Sequence, residues 1–321
     1  LNPFKGLWAA YQDLRSRKPL WLTVLGLSYF WFLGALIQLA VVLLGKETLT
    51  LSEDHTALLG TALALGVGAG SLLAGRLSGE KVELGLVPLG SGGMGVVAVL
   101  LGLFPGYFPL DLALLGLMGF FGGFFAVPLN AYLQQKTSPS ERGRFLALNN
   151  LLNTLGMILA AAYIGGLGTS LHWSADRLIF VAGLLTIAAT LYIMTILPEA
   201  LVRFTIWVGT HSVYRIKVLG ADKVPAQGPV LLVCNHVSHV DGLLVGSSLQ
   251  REIRFMMWKP YTQIKGFRWL FRLMNGIPTG NKTPRETAES ILLARKALQN
   301  GEAVCIFAEG EISRTGLLNT F

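Results

Sequence analysis

Cysteine is nearly absent from this chain: Cys234 and Cys305 are the only two in 321 residues. Both fall in apolar, β-branched-rich runs that read as buried strands, so no disulfide framework is expected and a reducing compartment fits. Charge is scarce too, at 14% of residues against 52% apolar and a mean hydropathy of +0.56. That balance excludes a single soluble domain. No Gly-x-Ser-x-Gly elbow occurs, which removes the nucleophile a serine hydrolase needs. No residue set is expected to hold a metal. An initiator methionine is also missing, and with a start at Leu1 and a stop at Phe321 the chain reads as a fragment.

What the chain has instead is six apolar segments, at about residues 20–44, 57–74, 84–104, 110–133, 145–168 and 178–197. Each is close to the roughly 20 residues a spanning helix needs, and six in a row exclude a signal peptide. Lys5, Arg15, Arg17 and Lys18 precede the first span, Arg76 and Lys81 follow the second, and Lys136, Arg142 and Arg144 follow the fourth. The opposite loops hold only Lys46 and Arg177. The positive-inside rule therefore puts both ends of residues 1–197 in the cytoplasm. The remaining residues, 198–321, carry 15 Lys+Arg against 9 Asp+Glu, or +6 of the total +8. They form the expected second, cytoplasmic domain.

Within the spans, Gly66, Gly68, Gly70 and Ala74 make a small-residue stripe suited to close helix packing. Pro128 is expected to break its helix beside the polar Asn130. Asn149, Asn150 and Asn153 open the next span with at least two on one face, where they serve interhelical hydrogen bonding or line a lipid headgroup path.

After residue 198 the pattern shortens. Leu201, Phe204, Trp207, Val208 and His211 recur at helical spacing, as an interfacial helix or a core-facing one. Strands are expected at 214–218, 229–234, 254–258 and 303–307. Lys265, Arg268 and Arg272 form a basic stripe on a helix that also carries Phe267, Leu270 and Phe271. The stripe is a solvated face, or a seat for anionic lipid or an acidic carrier protein. Thr283-Pro284-Arg285-Glu286 is a capping box opening a helix to Gln299.

The stretch that carries chemistry is Asn235-His236-Val237-Ser238-His239-Val240-Asp241, behind the 229–234 strand. Ser238 can N-cap the following helix with Asp241 at its third position, a capping box that needs no chemistry. The same carboxylate, kept ionised by the helix end, can fold back on His236, fix its tautomer and stabilise the imidazolium of a general base. No activated hydroxyl is evident in the chain, so the acceptor hydroxyl belongs to a substrate. His239 is two residues from Asp241 and points elsewhere, and the thiol of Cys234 lies in an apolar strand where it stays protonated.

Asn235, His236, Ser238 and Asp241 resemble the His-x4-Asp motif of the glycerophospholipid acyltransferase family, and Phe307-Ala308-Glu309-Gly310 is similar to that family's Phe-Pro-Glu-Gly block. The resemblance implies catalysis by His236 and Asp241, and acceptor contacts from Asn235, Ser238, Glu309 and Gly310. It implies no bound cofactor, with acyl carrier protein or coenzyme A as the acyl donor. Gly280 and Asn281 replace an Asp-Arg pair that contacts phosphate in the family, with Lys282 as a substitute point charge. This favours a zwitterionic acceptor such as lysophosphatidylethanolamine.

In the first half, residues 70–81 resemble the loop motif of the major facilitator superfamily, and residues 122–134 resemble bacterial lysophospholipid transporters of that superfamily. The implied fold is the second six-helix half of a major facilitator bundle followed by a truncated α/β acyltransferase domain. Asn130, Asn149 and Asn153 are its candidate transport-path residues. The expected function is acyl transfer to a lysophospholipid coupled to its transport across a bacterial inner membrane. The alternative is a transporter whose cytoplasmic domain only binds lipid; a lipid hydrolase is the third reading.

Overall fold

The computed structural model describes residues 3–48, 50–79, 82–225, 227–249, 251–280 and 283–313. Two compact units divide the chain, residues 1–197 and 198–321.

The first unit is helical: α1 (Pro3–Ser16), α2 (Lys18–Leu43), α3 (Glu53–Ser78), α4 (Leu86–Leu103), α5 (Phe108–Gln135), α6 (Pro139–Tyr163) and α7 (Ala175–Ile196). Among the described residues six helices, α2 to α7 with the π turns that extend α2 and α6, are long and apolar enough to cross a membrane. Their outer surface is apolar, with Leu65, Leu72, Leu159 and Leu191 all exposed, while Asn149, Asn153, Thr186 and Thr190 are buried between helices. Polar groups inside and apolar groups outside is what a lipid solvent selects.

With lipid outside, helices associate by close fit, and small residues decide which faces meet. A Cβ at Gly66 would run into the Gly116 carbonyl, one at Gly70 into that of Phe120, and one at Gly119 into that of Leu63. Hence α3 and α5 pack backbone to backbone. Gly68 meets nothing, so the stripe narrows to Gly66, Gly70 and the buried Ala74.

Arg17 pairs with Glu141 at 2.8 Å, and Arg144 with Asp13 at 2.7 Å. These bonds bring the segment before the first span and the segment after the fourth to one end of the bundle, as an even number of crossings requires.

Pro128 does not break its helix. It is buried inside α5, which runs unbroken through it. Packing on both sides holds the helix where the missing N–H would loosen it in water.

The second unit opens with α8 (Pro198–Val213), which packs on α9 (Asp241–Ser248). Phe204 and Thr210 are buried, so that side of α8 is core-facing. Strands β1 (Val230–Cys234), β2 (Ile253–Trp258), β3 (Ile277–Thr279) and β4 (Ala303–Phe307) form a parallel sheet in the order β1-β4-β2-β3. Helices α10 (Phe267–Leu273) and α11 (Pro284–Gln299) and 3-10 turns at Ala221–Lys223 and Lys259–Gln263 complete the described elements of this unit. Ile253, Phe255, Ala303 and Cys305 face a core shared with Val245 of α9 and with Leu249 just after it. Val304 and Ile277 face the opposite core, with Ala294 and Ala297 of α11. The strand expected at 214–218 does not form. Tyr214 and Val218 are exposed, and no described strand offers the ladder that alternation alone cannot supply.

Arg251 donates to the carbonyls of Pro225, Gly228 and Gly301. One guanidinium thus ties the turn before β1 to the turn before β4, the two strands that deliver the candidate site.

Candidate active site

Strands β1 and β4 are hydrogen-bonded neighbours, with Cys234 opposite Phe307 at their C-terminal ends. In a parallel sheet the loops beyond those ends are where chemistry is assembled. His236 leaves β1 and Glu309 leaves β4 there.

Asp241 organises the first loop through one atom. Its Oδ2 accepts from His236 Nδ1 at 2.9 Å, from the Val237 amide at 2.7 Å and from the Ser238 amide at 2.8 Å. Burial pushes the Asp241 carboxyl up, but the hydrogen bonds from His236 and the two amides outweigh it and hold it below its ordinary value. An ionised Asp241 takes the proton-bearing Nδ1 as donor, which leaves Nε2 of His236 as the free base.

The expected Ser238 cap does not form: Val240 stands at the N-cap of α9 with no side-chain cap bond. The helix begins at Asp241, not at residue 239, and the Ser238 hydroxyl accepts from the Val240 amide at 3.4 Å. The Asp241 carboxylate still returns to the Ser238 amide. One carboxylate oxygen therefore both closes the turn ahead of α9 and orients the imidazole.

Three residues from beyond β4 and at its end hold His236, and for two of them, Phe307 and Ser313, the sequence reading assigned no such contact. Phe307 stacks on the imidazole at 4.3 Å between centroids and 21° between planes, and Phe255 lies behind it at 6.4 Å. Glu309 Oε1 accepts from the His236 amide at 3.2 Å, and the buried Ser313 donates its amide to the His236 carbonyl at 2.7 Å. Glu309, expected to contact substrate, thus also pins the backbone of the base. The register of β1 against β4 could have pointed to Phe307; nothing pointed to Ser313.

Gly310 sits at φ +69 in the turn that swings Glu309 toward His236, a conformation that favours glycine. Asn235 is exposed at the mouth of the site. Lys282 and Asn281 lie outside the described residues. At Gly280 a Cβ would come within 2.6 Å of Glu286 Oε2, so the acidic side chain the family has there would meet another carboxylate. Cys234 and Cys305 lie with sulfurs 3.7 Å apart, and burial, with Cys234 beside it, pushes the Cys305 thiol far up.

Of the transport-path candidates, Asn149 and Asn153 share one buried face of α6, and Asn130 lies on α5. Asn149 and Asn153 are 3% and 8% exposed, and Asn153 accepts from Ser28 of α2 at 3.3 Å, an interhelical bond. Asn150 is exposed, and so is Asn130, whose amide donates to the Ala126 carbonyl of its own helix at 2.9 Å.

Comparison with known families places both units. The Major Facilitator Superfamily model matches residues 20–221, more than half of the chain. The chain belongs to the Major Facilitator Superfamily. The model of the family described as Acyltransferase matches residues 215–321. This superfamily member therefore carries an acyltransferase domain, and the described sheet and its loops fall within it.

Among curated proteins the chain is similar to the lysophospholipid transporter LplT of Cronobacter sakazakii, 33% identical over 139 residues that cover 43% of this chain and 34% of that protein. It is similar to the same transporter of Citrobacter koseri at 32% over 139 residues, again 43% and 34%. For Yersinia pestis the figures are 31% over 152 residues, 46% of this chain and 36% of the relative. The chain thus spans about a third of the length of these relatives. No solved structure matches it.

Proposed function

We propose that the 198–321 unit transfers a fatty acyl group from a thioester to the free hydroxyl of a lysophospholipid, and that the helices of residues 1–197 belong to a transporter that brings the lysophospholipid to it. One observation carries the chemistry: Asp241 Oδ2 holds His236 Nδ1 at 2.9 Å and leaves Nε2 unengaged by it. Nε2 removes the proton of the acceptor hydroxyl as the oxygen attacks the thioester carbonyl. The carbon–sulfur bond breaks, and the departing thiolate takes the proton from the imidazolium. An ester and a free thiol result, and the base is restored.

Acyl carrier protein or coenzyme A supplies the thioester, and no bound cofactor takes part. The acceptor reading as lysophosphatidylethanolamine rests on Gly280 and Asn281 standing where the family's phosphate contact would be. The relatives named as lysophospholipid transporters support a lysophospholipid in general as the acceptor. The transport roles of Asn130, Asn149 and Asn153, and placement in a bacterial inner membrane with the second unit in the cytoplasm, belong to the same proposal.

The test is acyl transfer from a labelled acyl thioester to lysophosphatidylethanolamine by the chain in membranes, beside its His236→Ala variant. Acceptor-dependent product reduced about 10²- to 10⁴-fold in the variant is expected. Release of free fatty acid without an acceptor would point to hydrolysis. No product from either, with lysolipid still crossing the bilayer, would leave a transporter with a lipid-binding domain.

A further inference from the structure

The stretch from β2 into α10 departs from the rest of the second unit in what it leaves uncovered. Trp258, Tyr261, Ile264 and Trp269 are exposed, at 47%, 41%, 53% and 60%. Between Trp258 and Gly280 there is no Asp or Glu. Lys265, Arg268 and Arg272 recur at helical spacing and, with Gly266 and Trp269, line one shallow cleft. Lys259 is paired with Glu286 at 3.1 Å, but none of the three cleft cations pairs with a carboxylate among the described residues. Leu270, Phe271 and Leu273 point the other way and are half-buried. The outward side of α10 and of the turn before it therefore presents ammonium, guanidinium and indole together, with no carboxylate of its own.

A solvated basic face has no use for exposed indoles, and an apolar core face has no use for unpaired cations. A bilayer interface uses both: Trp and Tyr rings settle at headgroup level while Lys and Arg meet lipid phosphates. An acidic protein would satisfy the charges as well. The choice falls on lipid because the chain runs from the last span, ending at Ile196, into α8 at Pro198 with one residue between them. That tether makes headgroups the anionic surface at highest local concentration.

We infer that residues 258–272 form a docking face for anionic lipid, with Trp269 and Ile264 entering the interface and Lys265, Arg268 and Arg272 on phosphates. This goes beyond the acyl-transfer reading and does not rest on it, since it holds whether or not His236 is a base.

The test uses the whole chain in nanodiscs, with the photocrosslinker benzoylphenylalanine at Ile264. Discs of phosphatidylcholine alone are compared with discs containing about 30 mol% phosphatidylglycerol. Phospholipid adducts are expected to rise in the anionic discs and to fall about tenfold or more in the Arg268→Glu, Arg272→Glu double variant, since each cation near such a surface is worth about fivefold. The Arg268→Lys, Arg272→Lys variant keeps the charge and should keep the adducts, which separates charge loss from misfolding. Equal adduct yield in both discs would overturn the inference. So would adducts formed chiefly with added acyl carrier protein, which would assign the face to a protein partner.

Discussion

The α3–α5 contact and the β1–β4 site loops solve opposite problems. Between α3 and α5 nothing polar is exchanged by side chains at the glycine contact; Gly66, Gly70 and Gly119 let backbones touch, and the fit alone selects the partner. Around His236 one ring, Phe307, packs on the imidazole, and the loop's position is set by donors: three on Asp241 Oδ2, one on Glu309 and one on the His236 carbonyl. The difference follows from solvent. Where lipid surrounds the helices, removing side chains creates specificity; where water competes, only a saturated hydrogen-bond set holds a loop in one place.

The comparison is tested first at its polar end. Asp241→Asn keeps an acceptor oxygen but loses the charge that supports an imidazolium, and acyl transfer should fall about 10²-fold or more while acceptor affinity changes little. Kinetics that separate kcat from KM check this. Because folding lowers the Asp241 pKa, its carboxylate stabilises the fold above about pH 4, the unfolded value, and loses that contribution as pH falls through the folded value. Acid unfolding of the wild-type and Asp241→Asn chains should therefore converge at low pH and stay apart above about pH 5.

At the apolar end, Gly70→Leu should lower thermal stability in detergent by about 1–3 kcal/mol or more, because the clash is with backbone. Gly68→Leu, which meets open space, should be neutral. Equal effects would mean that α3 does not present the Gly66–Gly70 face to α5.

Arg251→Ala strands three carbonyls and should destabilise by about 1–3 kcal/mol, read by denaturant unfolding. The smallest effect is expected of Phe307→Leu, which removes the ring under His236. A loss of about fivefold in kcat with KM unchanged, restored in Phe307→Tyr, would mark stacking as the cause.

Much of this was legible because it rests on periodicity or on local spacing. The spans follow from runs of apolar residues, and His236 with Asp241 from a five-residue step. What escaped depends on contacts across the fold. Tyr214 to Val218 has the alternation of a strand, but a strand also needs a neighbour. Pro128 reads as a breaker only if the helix around it is in water. Phe307 and Ser313 reach His236 from 71 and 77 positions away, and local pattern cannot show which long-range pair closes.

The ion pairs at the end of the bundle bear on how the protein is made. Asp13 has Arg17 one turn along as an early partner, at 3.1 Å, but Arg144 and Glu141 emerge only after four spans have been synthesised. The latch can close only once the fourth crossing has returned the chain to its starting side. It therefore works as a checkpoint in biogenesis: a chain threaded with an odd number of crossings leaves Asp13 and Arg17 on one side of the bilayer and Glu141 and Arg144 on the other.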